Sequence, residues 1–313
     1  MQVRMQRILR VAAILFLLSL VVFAKFTEPT RFVHALQKLA HPVTFGATAL
    51  LFLTLLQNDA PRRLRSYVVA FALTVICGAG TEVAQAFVGR DPSLLDVLRD
   101  ALGASTALAG FATLVPGADA RGRGAQRVIG ALCAFVGLTI IVAPISISLA
   151  AYAHRDLQFP ALIEACSPLD RYFLSGDVKV VKSKGPTASR CRSALRVELG
   201  TARYAGMSVD EPYPDWRTAH TLVLDLRNPG EIDLSLVLRV HDRAHNYQFQ
   251  DRFNREFTLH AGERREIAIP IADIEHAPAG RLMDLSQIAG IIVFRYGGTT
   301  VGNFEVERVV LRR

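Results

Sequence analysis

The chain of 313 residues is 51% hydrophobic and 20% charged, with a mean hydropathy of +0.28 and a net charge of +8. Residues 1–152 hold 14 Lys and Arg against 7 Asp and Glu, and residues 153–313 hold 22 against 21, so the excess charge belongs almost wholly to the apolar half. Apolar content this high excludes a disordered or collagen-like chain. Basic residues that punctuate long apolar runs set a nucleic-acid partner aside in favour of a membrane.

Five apolar stretches follow one another, at residues 8–24, 43–56, 67–88, 94–115 and 128–152. A helix needs about 20 residues to cross the hydrocarbon. The last three qualify outright, and the second borrows His41, Pro42 and Gln57 at its ends. Arg4, Arg7 and Arg10 precede the first, which ends in Val22-Phe23-Ala24; it reads as a retained span, with a cleaved signal peptide as the alternative. Arg4, Arg7, Arg10, Arg62, Arg63, Arg65, Arg121, Arg123 and Arg127 fall in loops on one side. Lys25, Arg31, Lys38 and Arg90 fall on the other. Nine against four places the amino terminus in the cytoplasm and, after five crossings, the chain beyond about residue 153 outside. Cys77 and Cys133 lie in apolar helices. Cys166 and Cys191 are the pair in the exported part, open to bridging in an oxidising compartment or to standing as two thiols.

Ionisable groups inside spans cost about 2.5–3.5 kcal/mol each at mid-membrane on insertion scales and need a reason. Glu82 lies six residues, or about 9 Å, below the outer end of the third stretch, and Gln85 follows on the same helix face at i+3. Asp96 and Asp100 share a face of the fourth stretch at i, i+4. His41 opens the second on the same side, and the Gly89-Arg90-Asp91-Pro92-Ser93 connection holds Arg90 at that level. Six polar groups, His41, Glu82, Gln85, Arg90, Asp96 and Asp100, therefore converge in depth as a candidate ligand-binding set. Glu82, His41 and Asp96 are its candidates for acid–base work. The plainer reading has them lock helix to helix through buried hydrogen bonds. Gly78, Gly80, Ala84, Gly103, Ala107 and Gly110 are small residues at spacings that let the helices approach. With carboxylates so close, either Arg90 or His41 neutralises them or a proton is retained; Arg99 pairs locally or snorkels.

Glu82-x-x-Gln85-x4-Arg90, followed by Asp96 and the Gly103 segment and preceded by Lys38-x-x-His41, resembles the VanZ-like family of small membrane proteins over about residues 30–116. Asp100 stands where that family usually has Asn, and Phe45 at a usual tyrosine position. The resemblance implies a bacterial envelope protein in the cytoplasmic membrane. Family members are associated with lowered susceptibility to teicoplanin-type glycopeptides; the likeness by itself does not establish resistance for this chain.

Beyond Tyr152 the pattern changes to period two. Leu222, Leu224 and Leu226 alternate with Val223, Asp225 and Arg227, and a second alternation runs over residues 232–241, with Asn228-Pro229-Gly230 as the turn between them. Further strands are expected at 178–182, 194–199, 247–259, 266–271, 291–296 and 304–311. About eight short strands with Gly- and Pro-marked turns predict a jelly-roll β-sandwich over 175–313, joined by a linker, 153–174, to the transmembrane domain of 1–152. The closing stretch, residues 282–288 leading into 291–294 and 303–306, resembles galactose-binding-like carbohydrate-binding modules. His241, Asp242, His245, Tyr247, Asp251, Arg252 and Asn254 form its densest polar and aromatic segment. Together with Trp216 as an aromatic platform, they are the candidates for holding a sugar. The alternative is a polar loop over a core tryptophan.

No metal or cofactor is expected. The sequence lacks a phosphate-cradling glycine loop, a GxSxG elbow, an HExxH and a cysteine quartet. The leading expectation is an envelope membrane protein that recognises a lipid-linked glycan or glycolipid head group at the outer leaflet, so its partners are membrane lipid and carbohydrate. The alternatives are an intramembrane hydrolase or transferase and a scaffold that binds another envelope protein.

Overall fold

Five helices open the chain: α1 (Gln2–Phe23), α2 (Arg31–Leu56), α3 (Leu64–Phe87), α4 (Leu94–Leu114) and α5 (Arg123–Gln158). The structure, a computed structural model, describes residues 2–23, 30–57, 64–114, 123–183, 191–296 and 301–313. Lys25, Arg62, Arg63 and Arg121 of the loop-charge pattern lie outside them, as does Ala24 of the possible cleavage site. The chain divides into two compact units, Met1–Leu149 and Ala150–Arg313.

In the first unit, α1, α2, α3 and α5 are long and apolar enough to cross a membrane. The fourth expected span does not meet that standard: α4 has the length, at 21 residues, but carries Asp96, Arg99 and Asp100 in its first two turns. The second expected span is longer than its apolar run. Thr30 caps α2, its hydroxyl accepting the Val33 N–H at 3.2 Å, and the helix continues through Pro42. His41 therefore lies mid-helix rather than at a helix start.

Small residues set how closely α2, α3 and α4 pack. A methyl group on Gly103 would fall on the Pro42 backbone, and one on Gly46 would meet the Gly103 carbonyl at 3.1 Å. One on Gly78 would stand 2.8 Å from Asp100 Oδ2, whereas nothing lies within 4 Å of such a methyl on Gly80. Phe45, Ala49, Leu53, Ala70 and Ala104 are fully buried in this seam.

The second unit is an all-antiparallel β-sandwich. Its strands are β1 (Ala161–Ile163), β2 (Leu174–Gly176), β3 (Val178–Lys182), β4 (Ser193–Leu199), β5 (Gly206–Asp210), β6 (Thr221–Arg227), β7 (Leu234–Asp242), β8 (Phe253–Leu259), β9 (Arg264–Pro270), β10 (Ile288–Arg295) and β11 (Gly302–Arg312), with a short helix α6 (Ile271–Glu275) after β9. One sheet runs β3-β4-β11-β6-β9, with β1 also on β11; the other runs β2-β5-β10-β7-β8. Alternate residues fill the space between them: Leu222, Leu224 and Leu226 from β6, and Leu234, Leu236, Leu238 and Val240 from β7. Each sheet thus buries one face, as period-two alternation requires.

Asn228 turns the chain from one sheet to the other. Its Nδ2 donates to the Ile232 and Leu259 carbonyls at 2.7 and 3.0 Å, and its Oδ1 accepts from Gly230 N–H at 3.0 Å. Residues 153–174, read as linker from composition, hold the end of α5, β1 and a short 3-10 helix, Pro168–Phe173. Cys166 and Cys191 form a disulfide with Cα atoms 5.5 Å apart.

Candidate functional sites

The first candidate site lies among α2, α3 and α4. The end of α3 is shaped by Gly89, whose φ of +75° lets Arg90 N–H turn back to the Gln85 carbonyl at 3.1 Å and close the helix. Three residues after Arg90, Ser93 N–H donates to Glu82 Oε2 at 2.7 Å and starts α4 against α3. That start places Asp96 in the first turn of α4, where the helix dipole favours a carboxylate. One turn further, Asp100 Oδ1 meets His41 Nδ1 of α2 at 3.1 Å. Arg99 pairs with Asp96.

Of the six residues expected here, His41, Glu82, Asp96 and Asp100 are brought together; the imidazole, one Glu82 oxygen and one Asp96 oxygen offer atoms all within 4.8 Å of one another. Gln85 and Arg90 turn elsewhere, donating to the Val21 carbonyl of α1 at 3.2 and 3.0 Å. His41, rather than Arg90, stands beside Asp100. Glu82 Oε1 and Asp100 Oδ2 are buried with no hydrogen-bond partner, although their residues are only 4% and 0% exposed.

The second candidate site is the outward face of the sheet β2-β5-β10-β7-β8. Since Leu238 and Val240 point inward, Arg239 and His241 point outward. Register sets Asn254, Arg239, Ile292 and Ser208 side by side across four strands. Next to them, Val237 pairs with Phe294. The Arg239 guanidinium lies over the Phe294 ring at 4.8 Å from its centre. Tyr204 packs edge-on to Phe294 and beside Tyr296, with ring centres 5.9 and 5.7 Å away. Both tyrosines are more than half exposed, and Arg203 lies against both rings.

This face is rich in unanswered polar groups. Arg239 Nε, His241 Nδ1, Arg252 Nε and Asn254 Oδ1 are buried without a hydrogen-bond partner. Neither Arg239 nor Arg252 makes an ion pair among the described residues. Burial, then the Arg252 charge, holds Arg239 below the usual arginine range. Burial, with the His245 and Arg239 charges, pushes His241 down to about 4. Gly290 makes room for that imidazole, which a methyl group at the glycine would strike.

The remaining sugar-site candidates sort differently. Trp216 is fully buried and donates from Nε1 to the Tyr213 carbonyl at 2.7 Å, so it is a core residue and offers no platform. Asp242 and Asp251 are tied down by Arg281, a residue the sequence reading passed over. Its guanidinium reaches both Asp242 oxygens at 2.6 and 2.9 Å and donates from Nε to Asp251. Asp251 is consequently held at about 2. His245 Nδ1 bonds the Asp251 carbonyl oxygen at 2.9 Å, and Tyr247, with φ +67°, stands exposed in the turn before β8 instead of within a strand. Tyr204, Arg239, Phe294 and Tyr296 were not singled out from sequence. The available signal was Arg239 at an outward position of a strong alternation.

No family model matches the chain, and no curated protein does. Solved structures do. A family 11 carbohydrate-binding module from Clostridium thermocellum, in complex with a β-1,3-1,4-mixed-linked tetrasaccharide, is 20% identical with a TM-score of 0.34, covering 44% of this chain and 83% of that one. A non-crystalline cellulose specific carbohydrate-binding module is 13% identical with a TM-score of 0.33, covering 46% and 88%. An exo-β-agarase is 14% identical with a TM-score of 0.35, covering 45% and 23%. Likeness at this level carries no functional argument, which rests on the residues described above.

Proposed function

We propose that the chain is a membrane-anchored glycan reader whose β-sandwich binds an acidic glycan, such as the head group of a glycolipid or lipid-linked saccharide at the outer leaflet of an envelope membrane. The observation that carries this reading is the outward face of β10, β7 and β8. Unpaired Arg239 and Arg252 stand there with His241 and Asn254, beside the exposed rings of Tyr204 and Tyr296. Sugar hydroxyls need donors and acceptors in a fixed array, and the C–H face of a pyranose packs on aromatic rings. Two guanidiniums without a carboxylate partner add a preference for a carboxylated or phosphorylated sugar, through charge-assisted bonds. The apolar helices serve as the anchor, and the VanZ-like pattern of His41, Glu82, Gln85, Arg90 and Asp96 agrees with an envelope membrane.

Calorimetric titration of the full-length protein in detergent tests this, with a glucuronate-containing oligosaccharide set against a neutral glucan of the same length. Saturable binding of the acidic ligand is expected. A charge-assisted hydrogen bond contributes about 1.5–3 kcal/mol, so Arg239→Gln and Arg252→Gln should each weaken it roughly 10- to 100-fold. Absence of saturable binding to the acidic sugar, or wild-type affinity in both variants, overturns the reading.

A further inference from the structure

The buried cluster of the helical unit has a chemistry that glycan binding does not use. We propose that His41, Glu82 and Asp96 form a binding site for one divalent transition-metal ion, with Asp100 orienting the imidazole.

Three observations lead there. Each of the three residues presents a ligand atom within 4.8 Å of the other two. Ligands about 2.1 Å from a tetrahedral ion sit roughly 3.4 Å apart, so side-chain adjustments of about 1 Å complete the shell. Second, His41 Nδ1 is occupied by Asp100 at 3.1 Å, leaving Nε2 to ligate. A carboxylate behind a histidine is the arrangement that fixes the tautomer and raises the basicity of a metal-binding imidazole. Third, Glu82 is 4% exposed, and its Oε1 has no hydrogen-bond partner while Oε2 takes only the Ser93 N–H. A buried carboxylate oxygen left in that condition carries the full cost of desolvation. A cation in contact with it removes that cost.

The charge balance points the same way. Glu82, Asp96 and Asp100 bring three carboxylates; Arg99 faces Asp96, and since a metal-ligating His41 is neutral, Glu82 and Asp100 have no cationic partner among the described residues. One imidazole nitrogen with two carboxylate oxygens suits Zn2+ or Mn2+, since imidazole disfavours Mg2+ and Ca2+ and the absence of thiolate disfavours Cu+. Three protein ligands leave a further coordination position for an oxygen donor from outside the chain. The site was not foreseen from sequence because its ligands come from three helices at separations that match no metal motif.

The experiment uses untagged full-length protein in detergent, stripped with a chelator, reloaded with Zn2+ or Mn2+ and dialysed. Elemental analysis should find about one ion per chain, as a single site with three protein ligands requires. Glu82→Gln should abolish stoichiometric retention. Asp100→Asn, which keeps every ligand but loses the orienting charge, should weaken affinity about 10- to 100-fold. Reloading should also raise the thermal midpoint of helix loss in the wild type, a gain absent from Asp96→Asn, whose part-exposed position in the first turn of α4 tolerates the change if Glu82→Gln fails to fold. Wild-type protein that keeps its helical content and retains neither ion overturns the proposal, as does equal retention by Asp96→Asn. Either result leaves the glycan reading of the β-sandwich untouched.

Discussion

His241 shows how one side chain links the sheet face to pH. Its imidazole is buried over Gly290 and held down to about 4, against 6.5 when unfolded. Between these values the unfolded chain binds the extra proton, so stability is lost as pH falls from about 6.5 to 4. The full difference amounts to about 3 kcal/mol. Trp216, the only tryptophan and fully buried in the sandwich, reports this unfolding directly by fluorescence. A denaturant series on the full chain should show the midpoint falling over that pH range in the wild type and a flatter profile in His241→Gln. Arg281 is the complementary case. It holds Asp251 at about 2, below the ordinary carboxylate value. That contribution is present above about pH 4 and is lost as pH falls towards 2. In Arg281→Ala the same fluorescence midpoint should be lower at pH 7 and should lose less between pH 4 and 2.

At the scale of elements, close approach of α2 to α4 depends on Gly103, whose hydrogen faces the Pro42 backbone. Any side chain there must push the helices apart, at a cost of about 1–3 kcal/mol as for overpacking generally, and would drag Asp100 away from His41. Gly80, two positions from Gly78 on α3, meets nothing. Gly103→Ala should therefore lower the midpoint of helix loss in a detergent titration followed by far-ultraviolet circular dichroism, while Gly80→Ala leaves it unchanged or higher. Gly80 was grouped with the packing glycines on sequence, because spacing marks small residues without saying which face of a helix meets a neighbour. The strands divide in the same way. Alternation announced β6 and β7, strands of seven and nine residues whose leucines fill the core. It missed β1, β2 and β5, which span three, three and five residues; pairing with β11, β5 and β10 makes them strands, and no local pattern states that pairing. The sheet-face site was half legible for a similar reason. His241, Arg252 and Asn254 lie in a conspicuous polar run, whereas Phe294 and Tyr204 join them only through the register of β10 against β7 and β5.

At the scale of the whole molecule, the parity of the membrane crossings decides the compartment of the β-sandwich. Arg4, Arg7 and Arg10 in the first turns of α1 favour a cytoplasmic amino terminus, and the Cys166–Cys191 bridge belongs in an oxidising compartment. Both hold in the retained chain only if it crosses the membrane an odd number of times. The helices α1, α2, α3 and α5 are four candidate crossings by length and apolar composition; we propose that α4 is the fifth, carrying Asp96, Arg99 and Asp100 with it. Its charges make that affordable because they face partners: Asp100 meets His41, and Asp96 meets Arg99. Alkaline phosphatase fused after Arg313 should then be active, and the same enzyme fused in the segment between α2 and α3 inactive. An inactive carboxyl-terminal fusion would mean four crossings and a β-sandwich in the cytoplasm, and with it the loss of any outer-leaflet glycan. The disulfide gives an independent reading of the same compartment. Bridging cysteines 25 residues apart stabilises by about 3 kcal/mol through the unfolded chain, so Cys166→Ser should lower the Trp216 unfolding midpoint, and protein taken directly from cells into alkylating reagent should already have both thiols protected.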